Sequence, residues 1–132
     1  MLTGRDQWFN EGQPVMRHLR DFEDSHSEHE NYCLFVAPTL HRDTLNTFWM
    51  SIKHEYEGRK QKIVPLTIRQ LIHLLEGVKE ARDANYKVCS ADMRQLYDAC
   101  TTLDGVPDST AWTAHVEAQL KAWHSRVTAP VS

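Results

Sequence analysis

Apolar residues recur at helical spacing through the first part of the chain, over residues 5–24. One face carries apolar residues at spacings of seven, four and three, namely Trp8, Val15, Leu19 and Phe22. This spacing predicts a helix with one buried stripe. Because Pro14 lacks a backbone N–H and clashes with the preceding turn, we expect a kink there, or a restart with Pro14 in the first turn of a second segment.

Two short apolar runs after the polar loop at 24–31 have the length of strands. Residues 32–37 are continuously apolar, which favours a strand covered on both faces, as in a parallel sheet. Residues 62–66 predict a second strand, in which Pro65 marks the end or an edge position.

A helix is predicted between these strands, over residues 42–56. Its buried stripe contains Leu45, Phe48, Trp49 and Ile52. Asp43 or Thr44 is the predicted cap. The order strand, helix, strand predicts a parallel βαβ unit with a right-handed crossover.

The remaining patterns are helical. Thr67 and Gln70 fit a capping box before a helix over 68–81. The apolar positions of that helix are Leu71, Ile72, Leu74, Leu75 and Val78. Ser90 is the expected cap of a further helix that ends near Thr102 and carries one face of Met93, Leu96, Tyr97 and Cys100.

The last helix has the clearest amphipathic pattern in the chain. Asp108 or Ser109 is its expected cap. Its apolar residues recur at spacings of four, four, three and four: Trp112, Val116, Leu120, Trp123 and Val127. The predicted fold is therefore α/β, with the order helix, strand, helix, strand, helix, followed by a C-terminal helical tail.

Composition favours one globular domain in a reducing compartment. The chain has 132 residues, of which 41% are hydrophobic and 25% charged. No apolar run is long enough to span a membrane and no signal region is present, so the expected location is cytoplasmic. Three widely spaced cysteines predict buried or half-buried thiols rather than disulfides.

Two strands with apolar residues on both faces need further neighbours, because an uncovered sheet edge can pair with other chains. A second copy of the chain or strands absent from it are the two candidates. The first three residues, Met1, Leu2 and Thr3, resemble the end of a strand that leads into a helix. We therefore expect the neighbouring strands to precede this sequence.

Polar residues that can take part in chemistry are concentrated near the N-terminus. If the segment is helical, Gln7, Glu11 and His18 lie on roughly one face. They form either a solvent-exposed helix face or partners of a metal whose main ligands lie elsewhere. His26, His29 and Cys33 do not have the spacing of a standard zinc site, and we assign no residue of the chain as a principal metal ligand.

Basic residues form two local concentrations, although the net charge is −3. This balance argues against binding of nucleic acid by bulk charge alone. The local candidates for contacts with DNA are Arg17, Arg20, Lys53, Arg59 and Lys60. A solvated surface is the alternative interpretation of both groups.

Three sequence blocks together carry a family resemblance: GRDQWFNEGQPVMRHL at 4–19, YCLFVAP at 32–38 and KIVPLTIRQLIHLL at 62–75. In order and approximate spacing they resemble the C-terminal part of the AlwI-type restriction endonucleases. The resemblance covers about residues 2–75, and the region after residue 82 resembles no family that we can name. It implies a partial PD-(D/E)XK nuclease core over residues 1–82, on which residues 83–132 pack as a tail.

The resemblance also implies a role and a deficiency. Nucleases of this type cleave double-stranded DNA with Mg²⁺, held by an aspartate and a second acidic residue on consecutive strands. Both would lie upstream of Met1, so Gln7, Glu11 and His18 would flank the active site without completing it. Glu11 is then a candidate to bind a metal-bound water or a second metal, and Arg17 or His18 to meet a phosphate. Alternatively, Glu11 and His18 only cap and orient their helix.

The activity of the chain alone, and an alternative function, remain to be considered. We expect the chain alone to bind no metal tightly and to be catalytically inactive, whereas a separate polypeptide that supplies the missing strands would restore activity. Alternatively, the chain is a non-enzymatic α/β interaction module that pairs its exposed strand with a partner or forms a homodimer.

Overall fold

Two parallel strands and five helices make up the part of the chain described by a computed structural model, which covers residue 7 and residues 11–54 and 59–129. In chain order they are α1 (Gln13–Ser25), β1 (Cys33–Ala37), α2 (Arg42–Lys53), β2 (Ile63–Thr67), α3 (Ile68–Asp83), α4 (Ser90–Thr101) and α5 (Ser109–Val127). This order confirms the predicted α/β class with a helical C-terminal region.

The strands pair in parallel, from Cys33 opposite Ile63 to Ala37 opposite Thr67. This pairing confirms the predicted parallel βαβ unit, in which α2 connects the strands; the right-handed crossover stays a prediction. Side chains alternate between the faces of a strand, and the two fully buried residues of β1, Phe35 and Ala37, lie on the same face. Val36 is 37% exposed, so the prediction that both faces are buried is wrong at this position.

Pro14 lies in the first turn of α1, as the predicted restart requires, while the alternative of a kink stays a prediction. The buried residues of this helix are Met16 and Leu19. Phe22 is 50% exposed and stacks on His26 with a centroid distance of 4.1 Å, so its assignment to the buried stripe was wrong. Trp8 lies outside the described residues.

The central helices follow their predicted apolar patterns more closely than their predicted caps. Leu45, Phe48 and Ile52 are buried in α2, as predicted. His41 is the N-cap residue of α2, so the prediction of Asp43 or Thr44 as the cap was wrong. At α3 the capping box is confirmed in both directions, between the Thr67 hydroxyl and the Gln70 N–H and between the Gln70 amide and the Thr67 N–H.

The apolar positions of α3 differ in their burial. Leu74 is buried, whereas Ile72 is 50% and Leu75 59% exposed. The helix packs against the sheet on one side and against α5 on another. Its outer side therefore carries apolar residues that no described element covers.

The C-terminal helices share the core of the βαβ unit. Trp112, Val116, Trp123 and Val127 are buried in α5, as the amphipathic pattern predicted, and Asp108 caps this helix. The helix packs against α2, α3 and α4. None of the described helices is long and apolar enough to cross a membrane.

The start of α4 differs from the prediction. Cys89, not Ser90, is the N-cap residue, because the Asp92 carboxylate accepts the Cys89 N–H at 2.9 Å. This thiol is exposed, which corrects the expectation of a buried or half-buried cysteine, whereas Cys33 is half-buried and Cys100 buried.

A polar network also joins the C-terminal helices to the strands. The Tyr32 hydroxyl donates to the Asp98 carboxylate at 2.7 Å, and the Lys62 ammonium lies 3.1 Å from the same oxygen. Burial raises the pKa of Tyr32 well above its ordinary value, and the hydrogen bond to Asp98 adds to this shift. Residues 32 and 62 are thereby tied to α4.

Candidate functional site

Gln7 connects the N-terminal segment to the carboxyl end of β1. Its side chain is 3% exposed. The amide Nε2 donates to the Thr39 carbonyl at 2.7 Å, and Oε1 accepts the His41 N–H at 2.8 Å. Both polar atoms of the amide are therefore used to hold the loop between β1 and α2. Ligand sites of open α/β sheets lie at the carboxyl ends of the strands, which is where Gln7 is placed.

A second buried glutamine holds α1 from the opposite end of the sheet. Gln61 is 1% exposed, and its Nε2 donates to the Met16 carbonyl at 2.7 Å. Gln61 precedes β2, whereas Thr39 follows β1. Because the strands are parallel, these are opposite ends of the sheet, so Gln7 lies at the carboxyl end and Met16 near the amino end.

Glu11 and His18 are in different environments from Gln7. Glu11 is half-buried and His18 is exposed. Glu11 and Gly12 are in a π-helical turn just before Pro14. Proline has no backbone N–H and cannot donate a hydrogen bond to the preceding turn, so a departure from α-helical geometry is expected here. No hydrogen bond or ion pair joins Gln7, Glu11 and His18 among the described residues. Their role beside an active site stays a prediction.

The five basic candidates differ in how available their charges are. Arg17 and Lys60 are exposed, and Arg20 is half-buried. Lys53 is exposed, and its ammonium is 5.0 Å from the centroid of the Trp49 ring. Arg59 forms an ion pair with Asp24 at 2.6 Å, so an incoming phosphate would have to compete with a carboxylate.

Glu23 lies beside this ion pair, with part of its carboxylate shielded from solvent. Its Oε1 is buried and has no hydrogen-bond partner in the described part of the chain. Burial raises the pKa of the Glu23 carboxyl, while the Arg59 guanidinium opposes the shift. A carboxyl with a raised pKa in the folded state binds its proton more tightly there, so stability falls as the pH rises through the raised pKa.

Replacing Glu23 with glutamine is therefore expected to stabilise the chain at neutral pH. We expect the free energy of unfolding to rise by about 0.5 kcal/mol at pH 7, a small gain because solvent screens this partly exposed site. Near pH 3.5 we expect no gain, because the wild-type carboxyl is protonated in both the folded and the unfolded state. Urea denaturation at the two pH values measures it. Asp21→Asn, on the exposed side of the same helix, should show no such gain. A Glu23→Gln variant less stable than wild type at pH 7 would contradict the assignment.

The described residues do not fit a divalent metal site. Mg²⁺ binds through carboxylates and other hard oxygen ligands. No group of three or more His, Cys, Asp or Glu side chains that could hold a metal ion occurs in residues 7, 11–54 and 59–129. Any such ion would need ligands from elsewhere.

Residues that the sequence pattern did not single out take part in the site. Thr39, His41 and Gln61 form the hydrogen bonds that hold Gln7 and Met16. Their partners are 32 to 45 residues away in sequence. The position of Thr39 and His41 directly after a strand was the one available signal.

Comparison with known protein families identifies a match over the first part of the chain. A family model described as AlwI restriction endonuclease matches residues 1–74 of the 132 residues. The match contains α1, β1, α2, β2 and the first part of α3. A search of curated proteins finds no match.

Proposed function

Because the chain belongs to the AlwI restriction endonuclease family, we propose that it is one part of an enzyme that hydrolyses DNA phosphodiester bonds with a divalent metal, and that it is inactive alone. The observation that carries the proposal is the pair of hydrogen bonds by which the buried Gln7 amide holds Thr39 and His41. This pair places Gln7, which lies within the matched residues, at the end of the sheet where α/β proteins bind ligands.

The proposed inactivity follows from the missing ligands. A phosphodiester-cleaving metal polarises the phosphoryl oxygen and activates water, and it must be held by several oxygen ligands. The described residues offer no such group, and Glu11 alone cannot replace a pair of acidic residues. We place the acidic ligands, and with them tight binding of Mg²⁺, in sequence outside this chain.

The free edge of β1 is the proposed attachment point for that missing part. Among the described residues, β1 pairs with β2 alone. A two-stranded sheet is marginal by itself, and an unpaired edge presents backbone N–H and C=O groups to a further strand. The partner strand would come from a complementing polypeptide or from a second copy of this chain.

Double-stranded DNA is the proposed substrate, and the basic candidates are its proposed contacts. Arg17, Lys53 and Lys60 are exposed and should contribute most, whereas the Arg59 ion pair with Asp24 reduces the contribution of Arg59. A DNA substrate also makes the cytoplasm the proposed location.

We expect weak, salt-sensitive binding of a short DNA duplex, with a Kd in the range of about 1–100 μM near physiological salt. A plot of the logarithm of the association constant against the logarithm of the salt concentration has a negative slope. Each lost phosphate contact should make this slope less steep by about 0.9. The double variant Lys53→Gln/Lys60→Gln should therefore lose nearly two units of slope, as measured by fluorescence anisotropy over a series of salt concentrations.

The matched control is Lys79→Gln/Lys87→Gln, which removes the same charge from exposed positions of α3 and the loop after it. This control should keep the wild-type slope. Absence of DNA binding at low salt, or equal losses in the two double variants, would contradict the proposed interface.

The exposed edge of β1 also favours a second candidate, a non-enzymatic interaction module. That function predicts an obligate dimer or complex in sizing chromatography and no affinity for DNA at moderate salt. The nuclease proposal predicts DNA binding whatever the oligomeric state, so the two measurements together separate the candidates.

A further inference from the structure

A slot lies between α3 and α5, outside the region discussed above. Gln70 faces Glu117, and Gly77 faces His124. Both pairs are 47 residues apart, so the two helices run parallel to each other. Between these pairs is a cavity of about 440 Å³. Seven residues of helix span about 10 Å, which is the length of the slot.

Contacts between the helices close both ends of the slot. At one end the Gln70 amide donates to the Glu117 carboxylate at 2.6 Å. At the other end the His124 ring reaches the Glu80 carboxylate at 2.9 Å. Gly77 permits this approach, because a Cβ atom there would lie 3.0 Å from His124 Nδ1. The slot thus has a side-chain contact between the two helices at each end.

The floor of the slot is apolar, and its walls carry hydrogen-bond donors. Leu74 and Leu120 supply the floor. On the α5 wall, Lys121 is 77% exposed and its ammonium is 3.9 Å from Glu117, too far for a hydrogen bond. On the α3 wall, His73 contacts Glu76 through Nδ1 at 3.3 Å, which leaves Nε2 available.

The donors on the two walls determine the ligand that suits the slot. Glu117 also lines the slot, and its carboxylate accepts a hydrogen bond from Gln70 and forms an ion pair with Lys121 at 3.9 Å. The Lys121 ammonium has three N–H groups and His73 keeps Nε2, so each can still donate to a ligand above the apolar floor, and a carboxylate has two acceptor oxygens to match them. Pockets of this size with mainly apolar walls and a few polar groups are typical small-molecule sites.

We propose that this slot binds a small amphipathic carboxylate, with a flat apolar ring system on Leu74 and Leu120 and its carboxylate between Lys121 and His73. Most of the slot lies beyond residue 74, where the family match ends, and the proposal does not depend on the nuclease function.

Three ring-matched probes test the proposal by isothermal titration to the 132-residue chain: indole-3-acetate (anionic), indole-3-acetamide (neutral) and tryptamine (cationic). We expect indole-3-acetate to bind with a Kd of about 1 mM, as its size allows. The amide and the amine should bind at least about fivefold more weakly, because they lack the negative charge that Lys121 attracts. Equal binding of the three probes, or no binding of any, would overturn the proposal.

Variants locate the binding site. Lys121→Gln should weaken indole-3-acetate about fivefold, to the level of the amide, and Leu120→Trp should abolish binding of all three by filling the floor. Ile72→Gln, on the outer side of α3, is the control and should bind as wild type does. Circular dichroism shows which variants fold. If Leu120→Trp does not fold, the affinity of Lys121→Gln still tests whether the slot is the binding site. Unchanged affinity of this variant for indole-3-acetate would refute the site.

Discussion

Trp112→Ala is expected to lower the free energy of unfolding by about 3–5 kcal/mol, since it deletes a large side chain from a packed interior. Trp112 is fully buried in α5, and its indole N–H donates to the Cys100 carbonyl at 2.9 Å. The substitution removes the packing and leaves that carbonyl without this partner. Urea denaturation followed by far-UV circular dichroism measures the loss without relying on tryptophan fluorescence.

Trp112→Phe is the matched control for this experiment. It keeps most of the apolar volume and loses the N–H donor. We therefore expect it to lower the free energy of unfolding by roughly half as much as Trp112→Ala does. If Trp112→Ala lost less than about 1 kcal/mol, as a surface substitution does, α5 would not share a core with the βαβ unit. The residues beyond the family match would then be an independent appendage rather than part of one domain.

Local sequence signals predicted much of the fold. The Thr67 and Gln70 capping box spans four residues, and both of its hydrogen bonds form as predicted. The regular apolar spacing of α5 likewise predicted its buried residues, among them Trp112 and Trp123. Such features succeed because the interactions that decide them lie within one or two helical turns.

Burial was predicted less well, since it depends on which elements pack together. Phe22 and Leu75 fit helical apolar stripes, yet each is at least half exposed because no described element covers its side of the helix. Val36 fits a strand that is covered on both faces, whereas its own face is partly open. Periodicity identifies a face of an element but not its neighbour.

The candidate site shows the same limit. The sequence singled out Gln7 as a polar residue on a helix face, and the structure shows it buried between Thr39 and His41. Contacts over more than thirty residues depend on the tertiary fold, so spacing alone could not reveal them. The resemblance to a nuclease family supplied the functional context, and residues 1–74 do match that family.

Restoration of activity by a complementing chain is the second large effect we expect. A polypeptide with the upstream strands of a nuclease of this family would add the acidic ligands and pair with the edge of β1. Cleavage should then depend on both chains and on Mg²⁺. Replacing the aspartate of the complementing chain with asparagine should abolish cleavage without preventing assembly, and the assembly is checked by sizing chromatography.

The most direct test of the central claim is cleavage of supercoiled plasmid DNA by the purified 132-residue chain in the presence of Mg²⁺, with and without the complementing polypeptide. Glu11→Gln is the control variant of this chain. The account predicts no nicked or linear product from the chain alone at any Mg²⁺ concentration, and both products from the mixture. Mg²⁺-dependent cleavage by the chain alone, reduced in Glu11→Gln, would contradict it.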